Sequence, residues 1–455
     1  MAYNVLVASS GGDFTTLQAA INAATNVGQT DPEVTISVAN GADFGPGATG
    51  SITVPAHGDA SPGGVREQWS NGDGFFRIVA VDGDEHGGFW PAAVADASYV
   101  SGGWSVRCPN LQVEGLCLYI EGKGGGGHRL LTLSTATSGA GVNPNRAVFR
   151  RCLLRVHNPD QMSGVLFNQA NVTSDTALDL LSTFENCVFM ATGNCDAFTQ
   201  TNSLFAGGTV SGVLSGNTAA VIFRNCLFYE NCTPKGSGPK LERLVKYNAT
   251  STANPCSFTS YNCIYHGEHV DYTLDVDADG VTTYGSHNAS SDLMAKSEFA
   301  SDPYALVNVD ASDFVMDASD LDFRSRWDSI GDNAGNSAMA PSDDMLGNSR
   351  PFGPRVDIGP NEHTPLTNPS SSLSGSVDDR GIRIFDNRNS FAKRVQITCT
   401  SSQGLNVIAL GMNNDNPYPM AENEVLDIES DDLGSIGIAA PGSTNTSAKW
   451  LVNKN

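Results

Sequence analysis

The residues best placed by type and spacing to do chemistry lie between positions 265 and 280. Asp275-Val-Asp277-Ala-Asp279-Gly280 sets three carboxylates at alternate positions ahead of a glycine. That is the first half of a calcium loop, where carboxylate oxygens surround a hard cation and glycine permits the sharp turn. The twelfth position is Ser286 rather than Glu, which excludes a complete EF-hand. Two readings remain, a partial calcium loop at Asp275, Asp277 and Asp279 or a solvated acidic turn. Just upstream, Tyr265-His266-Gly-Glu268-His269-Val-Asp271 gathers two imidazoles and two carboxylates, donors that suit a transition metal. The spacing follows no strong metal motif, and a polar loop leaving a coil explains the same residues.

Elsewhere the chemistry is thinner. Gly124-Gly-Gly-Gly-His128 lacks the Lys-Ser/Thr of a phosphate loop and reads as a flexible loop. Trp69, Trp90 and Trp104 fall early, as a sugar-stacking platform or, by the commoner use of Trp, as core or cap packing. Nine of the ten cysteines lie between 108 and 263 with no Cys-x-x-Cys; with no signal peptide visible, they are expected as reduced, apolar thiols rather than local pairs such as Cys226 with Cys232.

The elements that must position these residues are set by a repeat. Phe149-Arg-Arg-Cys152-Leu-Leu, Phe184-Glu-Asn-Cys187-Val-Phe, Phe223-Arg-Asn-Cys226-Leu-Phe and Ser260-Tyr-Asn-Cys263-Ile-Tyr share one register, with a weaker copy at Val113-Glu-Gly-Leu116-Cys-Leu. Counted at the Cys position, the steps are 36, 35, 39 and 37 residues. Three strands of about five residues with short turns take up roughly 20–25 of these, and the rest must leave as loops. Asn186, Asn225 and Asn262 recur just before the Cys, where Asn tolerates the left-handed backbone of a sharp bend and can bond to its stacked copies. The spacing predicts an all-β fold, a right-handed parallel β-helix, rather than an antiparallel sandwich.

Gly12-Asp-Phe-Thr-Thr-Leu-Gln-Ala-Ala-Ile-Asn-Ala-Ala reads as an amphipathic helix opened by Asp13 or Thr15, with Phe14, Leu17 and Ile21 on the face that covers the open end of the stack. This stretch resembles the N-cap helix of pectinesterases, pectate lyases and viral tailspikes. Gly347-Asn-Ser-Arg-Pro-Phe-Gly-Pro-Arg-Val-Asp-Ile-Gly-Pro-Asn-Glu362 is similar to the terminal signature of many bacterial parallel β-helix repeat proteins. The paired-Asp motifs of polygalacturonases, the Asp/Arg set of pectinesterases and the Arg-Pro segment of pectate lyases are not found, so the resemblance implies a fold and no catalytic residues.

Pro369-Ser-Ser-Ser-Leu-Ser-Gly-Ser reads as a linker, and six strand candidates follow it, from Ile382 to Trp450. Asn416-Pro-Tyr-Pro-Met is expected as an exposed connection. The expected organisation is an N-terminal strand and cap helix over 1–30, a β-helix over 31–368, a linker over 369–376 and a small β-sandwich over 377–455. The rhythm Glu422-Asn-Glu-Val-Leu-Asp-Ile to Trp450-Leu-Val resembles small C-terminal domains of phage structural proteins.

Composition narrows the partners. The 49 acidic against 26 basic residues leave a net charge of −23, which disfavours nucleic acid. No apolar run reaches the roughly 18–20 residues of a membrane helix, and no signal peptide is visible at Met1-Ala-Tyr-Asn-Val-Leu-Val. The leading expectation is a non-enzymatic bacteriophage virion protein, a capsid decoration, spike or tailspike. It would fold in the host cytoplasm, contact the major capsid or tail proteins, and be open to trimerisation although no coiled-coil segment is present. The alternatives are a polysaccharide lyase or hydrolase, secreted or on a phage tail, and an adhesin that binds host-surface polysaccharide.

Overall fold

A computed structural model describes residues 3–26, 33–47, 50–54, 75–106, 110–121, 130–134, 145–157, 165–169, 180–195, 203–210, 219–234, 241–247, 256–268, 270–276, 280–299, 302–325, 329–351 and 353–362, and eight strands between 373 and 453. Among them, strands of the first 307 residues form three parallel sheets of nine, eight and seven strands. Sheet 1 runs from Tyr3–Val7 through Phe75–Ala80, Asn145–Arg150, Leu180–Glu185 and Ala219–Arg224 to Val281–Ser286. Sheet 2 includes Tyr99–Ser101, Cys117–Glu121, Leu153–His157, Val188–Cys195, Leu227–Pro234 and Ile264–Gly267. Sheet 3 runs from Ser51–Val54 to Val270–Val276. From Phe75 to Val276 each coil passes through the three sheets in turn, which is the parallel β-helix that the repeat predicts.

The register is that of the sequence copies. Phe149, Phe184, Phe223 and Ser260 lie side by side on sheet 1. Their inward rings stack at 5.1 Å between Phe149 and Phe184 and 5.2 Å between Phe184 and Phe223. A second column, Phe189, Phe228 and Tyr265, stacks at 4.6 and 4.9 Å. Where the first column ends in Ser260, its hydroxyl meets the Tyr265 phenol at 2.7 Å, so the missing ring is replaced by a hydrogen bond. The described thiols Cys117, Cys152, Cys187, Cys226, Cys232, Cys256 and Cys263 are buried. Burial pushes the thiols of Cys117, Cys152, Cys187 and Cys226 up.

Between sheets 1 and 2 the six coils that follow loop 81–98 each turn on one left-handed residue. These are Gly115, Arg151, Asn186, Asn225, Asn262 and His287, with φ of 75°, 51°, 54°, 51°, 57° and 58°. The Asn side chains bond to one another only in part, through Asn262 Nδ2 to Asn225 Oδ1 at 3.2 Å. Their other partners belong to the segment carrying the terminal signature. Asn186 donates to the carbonyl of Asp343 at 2.7 Å, Asn225 to those of Asp357 and Gly359 at 2.9 and 3.0 Å, and Asn262 to that of Asn336 at 3.1 Å. Residues 306–362 thus return along the stack as a strap. Phe314, Val315, Phe323, Met345 and Ile358 of the strap cover the apolar outer row of sheet 2, formed by Cys117, Leu153, Val188, Leu227 and Ile264. Inside the strap the buried Arg350 sits near Glu362 at 3.8 Å and donates to the Gly359 carbonyl at 3.0 Å.

Helix α1 spans Leu17–Asn26 and lays Leu17, Ala20, Ile21 and Ala24 into the interior cluster. It starts later than the sequence suggests. Asp13 instead accepts from the amide of Leu6 at 2.8 Å, and Thr16 Oγ1 receives the amide of Ala19 at 3.3 Å, so neither Asp13 nor Thr15 opens the helix. At the other end, α2 (Met294–Glu298) leads into Phe299, which stacks 6.1 Å from Phe258.

Beyond residue 372, strands pair into two antiparallel sheets of four, and the six expected strands are among them. Two further strands correct the sequence reading. Leu373–Val377, in the expected linker, pairs with Thr446–Asn453. Tyr418–Met420, expected as a connection, pairs with Leu405–Ile408 alone, and prolines are compatible with such an edge.

Candidate functional site

Side chains alternate across a strand, so each sheet 2 strand sends its first, third and fifth residues outward. The first row is the apolar one beneath the strap. The third row reads Tyr119, Arg155, Met190, Tyr229, His266, and the fifth Glu121, His157, Thr192, Asn231. Chemistry gathers at the lower end, where the loop 81–98 folds over this face. The loop is held by a hydrogen bond from the Trp90 amide to the carbonyl of Leu321 at 2.9 Å and by His86, whose ring is hydrogen-bonded to the carbonyl of Arg151 at 2.6 Å. Both ring nitrogens of His86 are used, since Nδ1 accepts from the amide of Gly88 at 3.4 Å. Burial holds its pKa down at about 4.

Trp90, Tyr99 and Tyr119 form a triangle with ring centres 5.9–6.0 Å apart. The Arg155 guanidinium lies 5.2 Å from the Trp90 ring centre, and His157 stacks on Tyr119 at 6.5 Å. Trp90, Tyr119, Arg155 and His157 are each partly exposed, while Tyr99 and Thr192 are buried beneath them. Burial pushes both tyrosines above the usual phenol range and lowers Arg155. His157 is lowered by burial first and then by Arg155, with Glu121 acting the other way. The result is a cluster of mutually tilted rings, at 75°, 44° and 35° to one another, in which Trp90 and Tyr119 are partly exposed and a guanidinium, an imidazole and a carboxylate lie at the margin. Such a surface stacks on the C–H face of a sugar ring while its polar groups bond the hydroxyls.

The residues singled out in the sequence are dispersed. Trp90 belongs to this platform, Trp104 is buried in the core, and Trp69 and Gly124–His128 lie outside the described residues. Asp275 ends the strand Val270–Val276 of sheet 3 and is ion-paired with Arg243. Asp277 and Asp279 lie outside the described residues, so the calcium loop stays an expectation. Beside Asp275, Glu298 of α2 has its pKa raised to about 7, by burial and then by Asp275. The 265–271 cluster is divided by the strand period and is no loop at its start. Tyr265 points inward, and His266 points outward against Tyr229 at 5.7 Å. His269 lies outside the described residues, as does the side chain of Asp271. Among the described residues no group of three or more His, Cys, Asp or Glu side chains is arranged to hold a metal ion. None of the described helices is long and apolar enough to cross a membrane.

The sequence reading missed Tyr99, Tyr119, Arg155, His157 and Thr192. A signal for most of them exists: four and six residues past the corner residue, the copies read Tyr119 and Glu121, Arg155 and His157, Met190 and Thr192.

No protein-family model and no curated protein matches the chain. Among solved structures it is similar to the pectate lyase Pel9A, at 14% identity over 80% of this chain and 96% of that one, with a TM-score of 0.37. It is also similar to Escherichia coli YbhC, at 13% identity over 63% and 71% of the two chains with a TM-score of 0.27. A pectin methylesterase from Aspergillus niger follows at 12% identity over 63% and 85%, with a TM-score of 0.24. At such identities and scores the likeness carries no chemistry across.

Proposed function

We propose that this protein is a carbohydrate-binding parallel β-helix that holds a glycan on the outer face of sheet 2 without cleaving it. The observation that carries the reading is the Trp90–Tyr99–Tyr119 triangle with Arg155 laid over Trp90. Glu121 is the one carboxylate among the described residues of the platform rows Tyr119 to Thr192, whereas glycoside hydrolysis uses two. Binding is tested by calorimetric titration of the full chain with dextran, polygalacturonate and hyaluronate, alongside Trp90→Ala. Loss of a stacking ring is expected to weaken the bound glycan about 10-fold or more. Equal binding by a folded Trp90→Ala chain, or no binding in the panel, would sink the reading.

A place on the surface of a phage particle, against capsid or tail proteins, is a further part of the proposal. It is favoured by the unbroken nine-strand ladder of sheet 1, a stiff rod of roughly 38 Å at about 4.8 Å per coil. Quantitative mass spectrometry of purified particles gives the copy number. Copies matching the major capsid protein mean decoration, a few mean a spike, and absence removes the particle from the account. Secretion with the same glycan-binding role would then take its place.

A further inference from the structure

The hydrogen atoms of the platform follow from which groups can only donate. A guanidinium has no acceptor. Arg155 Nε therefore donates to Thr192 Oγ1 at 2.9 Å, and Arg155 Nη2 donates to His157 Nδ1 at 3.4 Å. His157 Nδ1 must then carry a lone pair, which leaves the ring proton on Nε2. Thr192 Oγ1, already an acceptor, turns its own hydrogen to the same Nδ1 at 3.1 Å. Two side chains, one from its own coil and one from the next, thus converge on one imidazole nitrogen. Thr192 is buried, so a water does not readily take its place.

We propose that His157 is a proton-operated latch: unprotonated at Nδ1 it keeps Arg155 against Trp90, and protonated there it frees the guanidinium and releases the glycan. The release step rests on the glycan-binding reading; the latch itself is a property of the free protein. A proton on Nδ1 would face the Arg155 N–H and a like charge, so that contact breaks and the guanidinium is pushed from the ring, while the Thr192 hydroxyl turns its hydrogen away and accepts the new N–H. The charged and titratable groups facing the ring are Glu121 and Tyr119 from the coil before it and Arg155 from its own strand. From the coil after it, Thr192 is the facing group among the described residues. Glu121 invites the proton, while burial and Arg155 oppose it and prevail. The latch is closed at neutral pH and opens only on acidification below the ordinary imidazole range. Thr192 acts here as a positioning residue.

The experiment is imidazole ¹⁵N NMR of the unliganded full chain from pH 8 to 4.5, with His157 assigned through His157→Gln. The expected result is a proton on Nε2 at pH 8 and a midpoint below 6.5, with the Trp90 share of the fluorescence changing at that midpoint. Arg155→Gln removes the charge beside Nδ1 and should raise the midpoint. A ring proton on Nδ1 at pH 8, or an Arg155→Gln titration matching the wild type, overturns the latch. Binding of polygalacturonate, hyaluronate and dextran is then compared at pH 7.5 and 5, with a fall of at least 10-fold expected in the wild type and little change in His157→Gln. If NMR and fluorescence behave as expected while none of the three polysaccharides binds, the latch stands and the glycan reading falls.

Discussion

Six consecutive corners place a left-handed residue between sheets 1 and 2, and five of the six carry a side chain. An L-residue pays roughly 1–2 kcal/mol in that conformation, less for Asn, which bonds locally. At Asn225 the buried amide also donates to the carbonyls of Asp357 and Gly359 and accepts from Asn262. Asn225→Ala is expected to lose about 3 kcal/mol or more, from backbone strain and unpaired strap carbonyls. Asn225→Gly should lose less, because the turn is relieved and only the bonds are gone; urea denaturation of both variants separates the two causes. His86 gives a pH prediction of the opposite kind. Its folded pKa of about 4 lies below the ordinary 6.5, so the unfolded chain binds the proton first. Its contribution is complete above pH 6.5 and is lost as pH falls toward 4, on the order of 3 kcal/mol. Urea midpoints at pH 7 and 4.5 should differ more in the wild type than in His86→Gln.

At the scale of elements, two kinds of ladder run along the stack. The inward one is aromatic, and Phe184 lies at its centre between Phe149 and Phe223, with edge contacts to Phe189 and Phe205. Phe184→Ala should cost about 3–5 kcal/mol by opening a cavity shared by three coils, and Phe184→Leu distinctly less, as read from thermal unfolding. The outward one is ionic. Glu185 is bridged to Arg150 at 2.8 Å and to Arg224 at 3.0 Å, one from each neighbouring coil. Both ladders follow from the copies, and the register of Phe, Asn and Cys was legible to the residue because each coil repeats one corner. The site was not legible in the same way. Its rows lie on the outer face, where the copies differ and where exposure is decided by the strap and by loop 81–98. Trp90 reaches Tyr119 only because its amide is held by Leu321, more than 200 positions away. The late start of α1 has a similar cause, since Asp13 is claimed by Leu6 across a turn that no helical period reveals.

At the scale of the whole molecule, the strap decides how much of the chain the body needs. Its last described residues are knit into it: the amide of Glu362 donates to Asp344 at 3.0 Å, and Glu362 Oε2 accepts from Asp357 at 3.1 Å. A chain ending at residue 365 is expected to melt within a few degrees of the full protein. One ending at residue 328 leaves Asn225 and Asn262 without their strap partners and bares much of the outer row of sheet 2. It should lose 10 °C or more, or fail to stay soluble; calorimetry of the two truncations checks both expectations.

The strap also has a mechanical meaning. Its anchor points on Asn186, Asn225 and Asn262 belong to three successive coils. The strap therefore ties those coils together from outside, crossing the rungs of the stack rather than continuing them.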